Sequence, residues 1–370
     1  MTPSTITFET DALAAAMREV RGAVQRRNTI PIVANVLIEA DGAGVVRLTA
    51  TDLDVMVTRR LAGASDREIA FTVDAHRLAD VVGSFNAGSQ TSIKFDSGAA
   101  TVSSGRARLR FATLPKTDFP ILSQRGISAR FSLDAKALTR ALNVVRHAVS
   151  TEETRYYLNG VLLHAADGML RYAATDGHRL ARYVDALPAG AEHMPDTILR
   201  TRCIDLARVA AEARDETIHV AIGDGKVAMT IGDFAMVAKV ADGTFPDYVR
   251  VIPTANDKSA VIDRDAFLEA ISRVAIATSD KVRAVKITTG TNMLRATVTS
   301  PEHGEAADEV QCDYSGAPLE IGFNSRYLRD ALAALDVDHV DLALGDAAGP
   351  ALITSPKASG VSLVLMPIRV

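Results

Sequence analysis

The segment Ala174-Thr175-Asp176-Gly177-His178-Arg179-Leu180 sets a carboxylate, an imidazole and a guanidinium side by side. An aspartate that orients a histidine is an arrangement suited to general-base work. The same residues also read as a β-turn built on Asp-Gly, in which Asp176 accepts hydrogen bonds from nearby backbone amides. The turn is the stronger reading, because Thr51-Asp52 stands at the equivalent place earlier in the chain without the Gly-His-Arg that follows Asp176. Other chemistry finds little support. There is no phosphate-cradling Gly-x-x-x-x-Gly-Lys-Ser/Thr loop and no Gly-x-Gly-x-x-Gly between a strand and a helix. The eight histidines form no His-x-x-x-His pair and read as surface or turn residues, and Cys203 and Cys312 have neither metal-ligand spacing nor a disulfide framework. No metal and no cofactor are expected.

What must position these residues is a building block written three times. TITFETDALAAAMREVRGAV, starting at Thr5, returns as RFSLDAKALTRALNVVRHAV from Arg130 and more loosely as SAVIDRDAFLEAISRVAIAT from Ser259. Leu13, Met17, Val20 and Val24 are answered by Leu138, Leu142, Val145 and Val149, then by Phe267, Ile271, Val274 and Thr278. Such spacing puts the apolar residues on one face of a helix that follows a short strand. Each copy holds a second helical pattern: Asp74 to Phe85 with Leu78, Val81, Val82 and Phe85 inward, Thr201 to Ala213, and Ser325 to Leu335 capped by Asn324 or Ser325. Between the helices the chain alternates in strand fashion with Gly/Asp turns. The fold class is therefore α+β, in three similar domains with expected borders 1–126, 127–254 and 255–370, each with two helices packed on antiparallel sheet.

A chain of 370 residues exceeds what one hydrophobic core usually sustains, which agrees with the repeat. With 48% hydrophobic and 23% charged residues and no apolar tract of membrane length, a globular protein without membrane attachment is expected. The opening MTPSTITFETD has no basic and apolar leader pattern, so the expected location is cytoplasmic. The net charge of −4 matters less than its distribution. Arg18, Arg21, Arg26 and Arg27 crowd the first helix and its exit, Arg140, Arg146 and His147 lie on the second copy, and Arg200, Arg202, Arg208 and Arg214 follow; acids gather between Glu302 and Glu309.

Four motifs then carry a resemblance: Arg155-Tyr156-Tyr157-Leu158-Asn159-Gly160, Thr175-Asp176-Gly177-His178-Arg179-Leu180-Ala181, Phe245-Pro246-Asp247-Tyr248 and Met366-Pro367-Ile368-Arg369. In this order, and over the whole chain, the sequence resembles the bacterial DNA polymerase III beta subunit, the sliding clamp. The resemblance implies a non-catalytic homodimer, a head-to-tail ring with helices lining a central channel that encloses double-stranded DNA. It also implies a processivity role in DNA replication, either as the main clamp or as an accessory paralogue. An enzyme using Asp176 and His178 is the remaining alternative.

The resemblance assigns sites residue by residue. A pocket between the second and third domains would take short linear motifs from the polymerase III catalytic subunit, the clamp loader, other polymerases and repair proteins. Its wall would comprise Leu158, Thr175, Gly177, His178, Arg179, Leu180, Pro246, Arg250, Val251, Val282, Asn324, Tyr327, Val364, Met366, Pro367, Ile368 and Arg369. Aliphatic side chains with a Met make an adaptable floor for an apolar anchor. Arg27, Tyr156, Tyr157 and Arg200 would lie near DNA, where contacts to phosphate carry no base information and permit sliding. The dimer seam would use Arg106, Arg108, Leu109 and Phe111 against Ile276, Ala277, Glu302 and Glu305. Period-2 alternation from Ser103 to Phe111 independently puts Arg106, Arg108 and Arg110 on one face of a strand, with Ala107, Leu109 and Phe111 on the other.

Overall fold

Each repeat begins as its apolar ladder requires. In the computed structural model, which describes residues 4–26, 29–124, 126–279 and 283–370, the three copies open with strands Ser4–Glu9, Ala129–Asp134 and Lys258–Asp263. These lead directly into helices α1 (Thr10–Val20), α3 (Ala135–Arg146) and α5 (Arg264–Val274). Leu13, Met17, Leu142, Val145, Phe267 and Ile271 on their inner faces are all fully buried. The second helix of each repeat, α2 (Ala75–Gly83), α4 (Thr201–Glu212) and α6 (Ser325–Ala333), is shorter than the sequence pattern. Its ends are set by caps: Asp74 accepts from the Arg77 amide instead of joining α2, and Asn324 Oδ1 accepts from Arg326 and Tyr327.

The contacts divide the chain into two compact units, and the division runs through the central repeat. One unit is Met1–Thr139 with Pro188–Pro195 and Arg202–Val240; the other is Arg140–Leu187 with Asp196–Thr201 and Ala241–Val370. In the first, an eight-stranded sheet passes from the first repeat into the second, because Phe234–Lys239 pairs with Val55–Ala62, Val237 opposite Met56. A separate five-stranded sheet in this unit ends on strand Ala107–Ala112. In the second unit a twelve-stranded sheet passes from the second repeat into the third where Arg179–Ala186 pairs with Ser362–Leu365, Leu180 opposite Val364. All strand pairs among the described residues are antiparallel.

An ionic clasp backs the first of these joins. Glu19 on α1 pairs with Arg59 Nε at 2.7 Å and with Arg214 Nη2 at 3.0 Å, and Asp233 pairs with Arg214 at 3.1 Å and also with Arg59. Burial alone would push the Asp233 carboxyl up, but hydrogen bonds and charge from Arg59 and Arg214 outweigh it and hold it below the usual range. Two arginines of the basic group in the second repeat thus bind within the chain: Arg214 here, and Arg202, which donates to Gly22 O at 2.6 Å and reaches Asp52 at 3.5 Å.

Candidate peptide pocket, strand edges and DNA-facing residues

The Thr175-Asp176 segment is a turn, and its hydrogen bonds account for every residue in it. Thr175 Oγ1 donates to Arg179 O at 2.7 Å and accepts from the Gly177 amide at 3.1 Å; Asp176 Oδ1 accepts from the His178 and Arg179 amides at 2.9 and 3.1 Å. Gly177 sits at φ +90°, in the region that favours glycine, and a Cβ there would come within 2.8 Å of Arg155 Nη1. Thr51-Asp52 makes the same turn: Thr51 Oγ1 donates to Val55 O, and Asp52 Oδ1 accepts from the Asp54 and Val55 amides. Asp176 Oδ2 accepts from Arg179 Nε at 3.0 Å, so the carboxylate is held by backbone and guanidinium instead of by the His178 ring.

Arg179 is the centre of the site. It is only 8% exposed, pairs through Nη1 with Asp330 Oδ2 on α6 at 2.8 Å, and lies over the Tyr327 ring at 4.2 Å from its centroid. The buried charge of Arg179 therefore has two carboxylate partners, and pairing is the condition for burying a charge at all. Met366 N donates to His178 O at 2.9 Å and Ile368 N to Gly322 O at 2.9 Å, which ties the chain's last residues to the turn and to the strand before α6. Beneath them Leu158, Leu180, Val364, Phe245 and Tyr248 form one buried cluster with Ile252 and Leu352 against it. Above it Val251, Met366 and Ile368 are exposed apolar residues. Pro246 and His178 are exposed beside them, Pro367 is half-buried, and Arg250 is exposed and paired with Asp247 at 2.7 Å. The expected pocket residues Leu158, Thr175, Gly177, His178, Arg179, Leu180, Pro246, Arg250, Val251, Asn324, Tyr327, Val364, Met366, Pro367, Ile368 and Arg369 all fall in this one unit. Val282, expected in the pocket, and Arg27, expected near DNA, lie outside the described residues.

Two histidines belong to this region and correct the expectation of surface or turn residues, His147 among them being grouped in the sequence with the basic residues of the second copy. His147, at the end of α3, is half-buried, and burial together with the Arg179 guanidinium pushes its imidazole down to about 4 against the opposing pull of Asp330 and Asp176. His164 Nε2 shares a 2.9 Å hydrogen bond with Tyr248 OH, and burial lowers its pKa. Neither partner was legible in the sequence, since His164 and Tyr248 stand 84 residues apart.

The strand carrying the arginines needs correction. Ser103 to Phe111 is two strands, Ala99–Ser104 and Ala107–Ala112, joined by a two-residue turn at Gly105-Arg106 with Gly105 at φ +58°. Arg106 is a turn residue and does not share a strand face with Arg108 and Arg110; the alternation of charge runs on through a two-residue turn whose first position has the positive φ that glycine takes readily. Leu109 and Phe111 stand opposite the buried Val102 and Ala100. Strand Ala107–Ala112 is the last in its sheet, so one backbone edge is open. In the other unit, Gly304–Asp313 pairs with Met293–Ser300 along Gly304 to Gln311, while Lys258–Asp263 meets only its Cys312 and Asp313. Glu305 lies along that second, open edge, with Glu302 just before the strand and Ile276 82% exposed. Asp308 is engaged elsewhere, at 2.6 Å from Arg273 Nε.

Of the expected DNA-facing residues, Tyr156 is exposed and stacks edge-on with half-buried Tyr157 at 5.9 Å, both on the short helical stretch Glu153–Leu158. Arg200 closes strand Thr197–Arg200, opposite Gly160. Among the described residues no group of three His, Cys, Asp or Glu is placed to hold a metal, and no helix is long and apolar enough to cross a membrane.

A triply repeated α+β chain with sheets that pass from repeat to repeat is the architecture of a clamp protein. Models of the DNA polymerase III beta subunit match in order: the N-terminal domain over residues 4–123, the central domain over 132–247 and the C-terminal domain over 249–369. The beta sliding clamp of Caulobacter vibrioides is 39% identical across 99% of this chain and 100% of its own, and that of Escherichia coli K12 is 33% identical across 98% and 99%. Among solved structures, the DnaN sliding clamp from Bartonella birtlesii bound to griselimycin superposes with a TM-score of 0.96 at 38% identity, covering all of both chains. The corresponding clamp from Pseudomonas aeruginosa gives 0.95 at 33% identity, again over all of both. The chain belongs to the DNA polymerase III beta subunit family, the beta sliding clamps.

Proposed function

We propose that two copies of this chain close head-to-tail into a ring around duplex DNA and hold replication and repair enzymes to it, without catalysing a reaction. The observation that carries the reading is a pair of open sheet edges of opposite charge in one chain. Arg108 and Arg110 mark the first edge, and Glu305, with Glu302 close by, marks the second. Because the two edges differ, pairing one with the other is heterologous, and two copies can satisfy both at once. Arg106, Arg108, Leu109 and Phe111 then face Ile276, Ala277, Glu302 and Glu305 of the second copy. Borders at 126/127 and 254/255 delimit the three domains.

Within the ring Tyr156, Tyr157 and Arg200 approach the DNA and touch phosphate and sugar, not base edges, so binding is sequence-independent and weakened by salt. The apolar surface of Val251, Met366 and Ile368, over a Leu180–Val364 floor, takes short linear motifs. Those come from the polymerase III catalytic subunit, the clamp loader, other polymerases and repair proteins. A clamp that encloses bacterial DNA works where that DNA lies, so the proposed location is the cytoplasm.

Sedimentation of the full chain at micromolar concentration and physiological salt tests the assembly. A dimer is expected, and Arg108→Glu should shift it towards monomer; a wild-type monomer under these conditions would refute the ring.

A further inference from the structure

The repeat that builds the proposed motif pocket also writes its counterpart one domain earlier. In the second unit Leu180 faces Val364 across the sheet, and Leu352 is the next partner of Val364. In the first unit Met56 faces Val237, and Ala228 is the next partner of Val237. Both sets follow the same Thr-Asp turn, and each forms a buried cluster covered by the chain that leaves its domain: Ile252 in one, Leu122 and Ile127 in the other. The difference lies in size. Where the later site carries Leu352, the earlier one carries Ala228, next to Ala221, and both alanines line a cavity of about 630 Å³.

Polar chemistry surrounds that depression on the same face of the sheet. Arg130 stands opposite Ala221, Ser132 opposite His219, and His219 opposite Thr230. Ser132 Oγ is 3.0 Å from His219 Nδ1, which fixes the ring and leaves Nε2 for a ligand. The lining contains no carboxylate, and Arg130 makes no ion pair among the described residues. An apolar floor two alanines wide, with a guanidinium, an imidazole and hydroxyls at its side, matches a short peptide that presents an aliphatic side chain flanked by carboxylates.

We propose that this cavity is a second peptide site, selective for acidic segments of partner proteins. It rests on the reading of the later pocket as a motif site only for the analogy, since the residues involved belong to the other compact unit.

The test is fluorescence anisotropy of fluorescein-labelled ELDLE and KLKLK peptides on the full chain. Wild-type protein should bind ELDLE saturably and KLKLK at least tenfold more weakly. Arg130→Glu, on the surface, should weaken ELDLE at least tenfold with an unchanged melting temperature, whereas Met366→Lys should not. Equal binding of KLKLK, no saturable binding of ELDLE, or binding that survives Arg130→Glu would overturn the proposal. Loss on Met366→Lys with retention in Arg130→Glu would overturn it too, while leaving the later pocket intact.

Discussion

Arg179 joins a turn, a helix and an aromatic ring with one side chain, so its removal has several consequences. Arg179→Ala leaves Asp176 and Asp330 without their cation and Tyr327 without its cover, which should cost about 3 kcal/mol, read as a lower midpoint in denaturant unfolding. Arg179→Lys should recover little, because an ammonium cannot bridge two carboxylates and lie flat on a ring as a guanidinium does. His147 provides a pH signature at the same place. In the unfolded chain its imidazole takes a proton near pH 6.5, and in the folded one only near 4. The stability it contributes is therefore complete above about pH 6.5 and lost as pH falls towards 4, roughly 3 kcal/mol at most. Melting temperatures between pH 4.5 and 7 should fall less steeply in His147→Gln than in wild type; equal slopes would place the titration elsewhere. The Thr175-Asp176-Gly177 turn was legible because Asp-Gly chemistry is local. The Arg179 to Asp330 pair was not, since its partners are 151 residues apart and only the strand pairing of Leu180 with Val364 brings them together.

At the level of elements, helices were the easiest to read. The i, i+4, i+7 ladder marks α1, α3 and α5 whatever the tertiary context, and only their ends depended on caps. Strands were harder. The basic alternation continues across Gly105-Arg106, so one long strand was expected where a hairpin exists. Arginines on α4 and at its exit stand out in the sequence as a basic group, yet Arg202, Arg208 and Arg214 all have acidic partners within the chain. The clasp of Glu19, Arg59, Arg214 and Asp233 joins α1 and strand Val55–Ala62 of the first repeat to the exit of α4 and the turn before Phe234–Lys239 in the second, and Glu19→Gln would leave two buried arginines sharing one carboxylate. A loss of about 3–5 kcal/mol is expected, measurable as a lower thermal midpoint. The open edges belong to this scale as well. Arg108→Glu should weaken the dimer at least tenfold, and adding Glu305→Arg should restore part of it; an unchanged sedimentation profile in the single variant would remove this edge from the seam.

For the whole molecule, three repeats explain both what was legible and what was not. The sequence repeats are about 125 to 129 residues apart (Phe8, Leu133, Ile262) and so announce three similar domains, but compactness divides the chain in two, because sheets cross from each repeat into the next. A ring that holds DNA by enclosure makes a demand that no local contact can imitate. Its grip must depend on the topology of the DNA and not on sequence or tight binding. The direct measurement is retention of the protein, loaded on nicked circular duplex, before and after a single cut linearises the circle, at a salt concentration that suppresses phosphate contacts. Persistence on the circle and rapid loss from the linear form is the predicted result; equal dissociation from both would contradict enclosure.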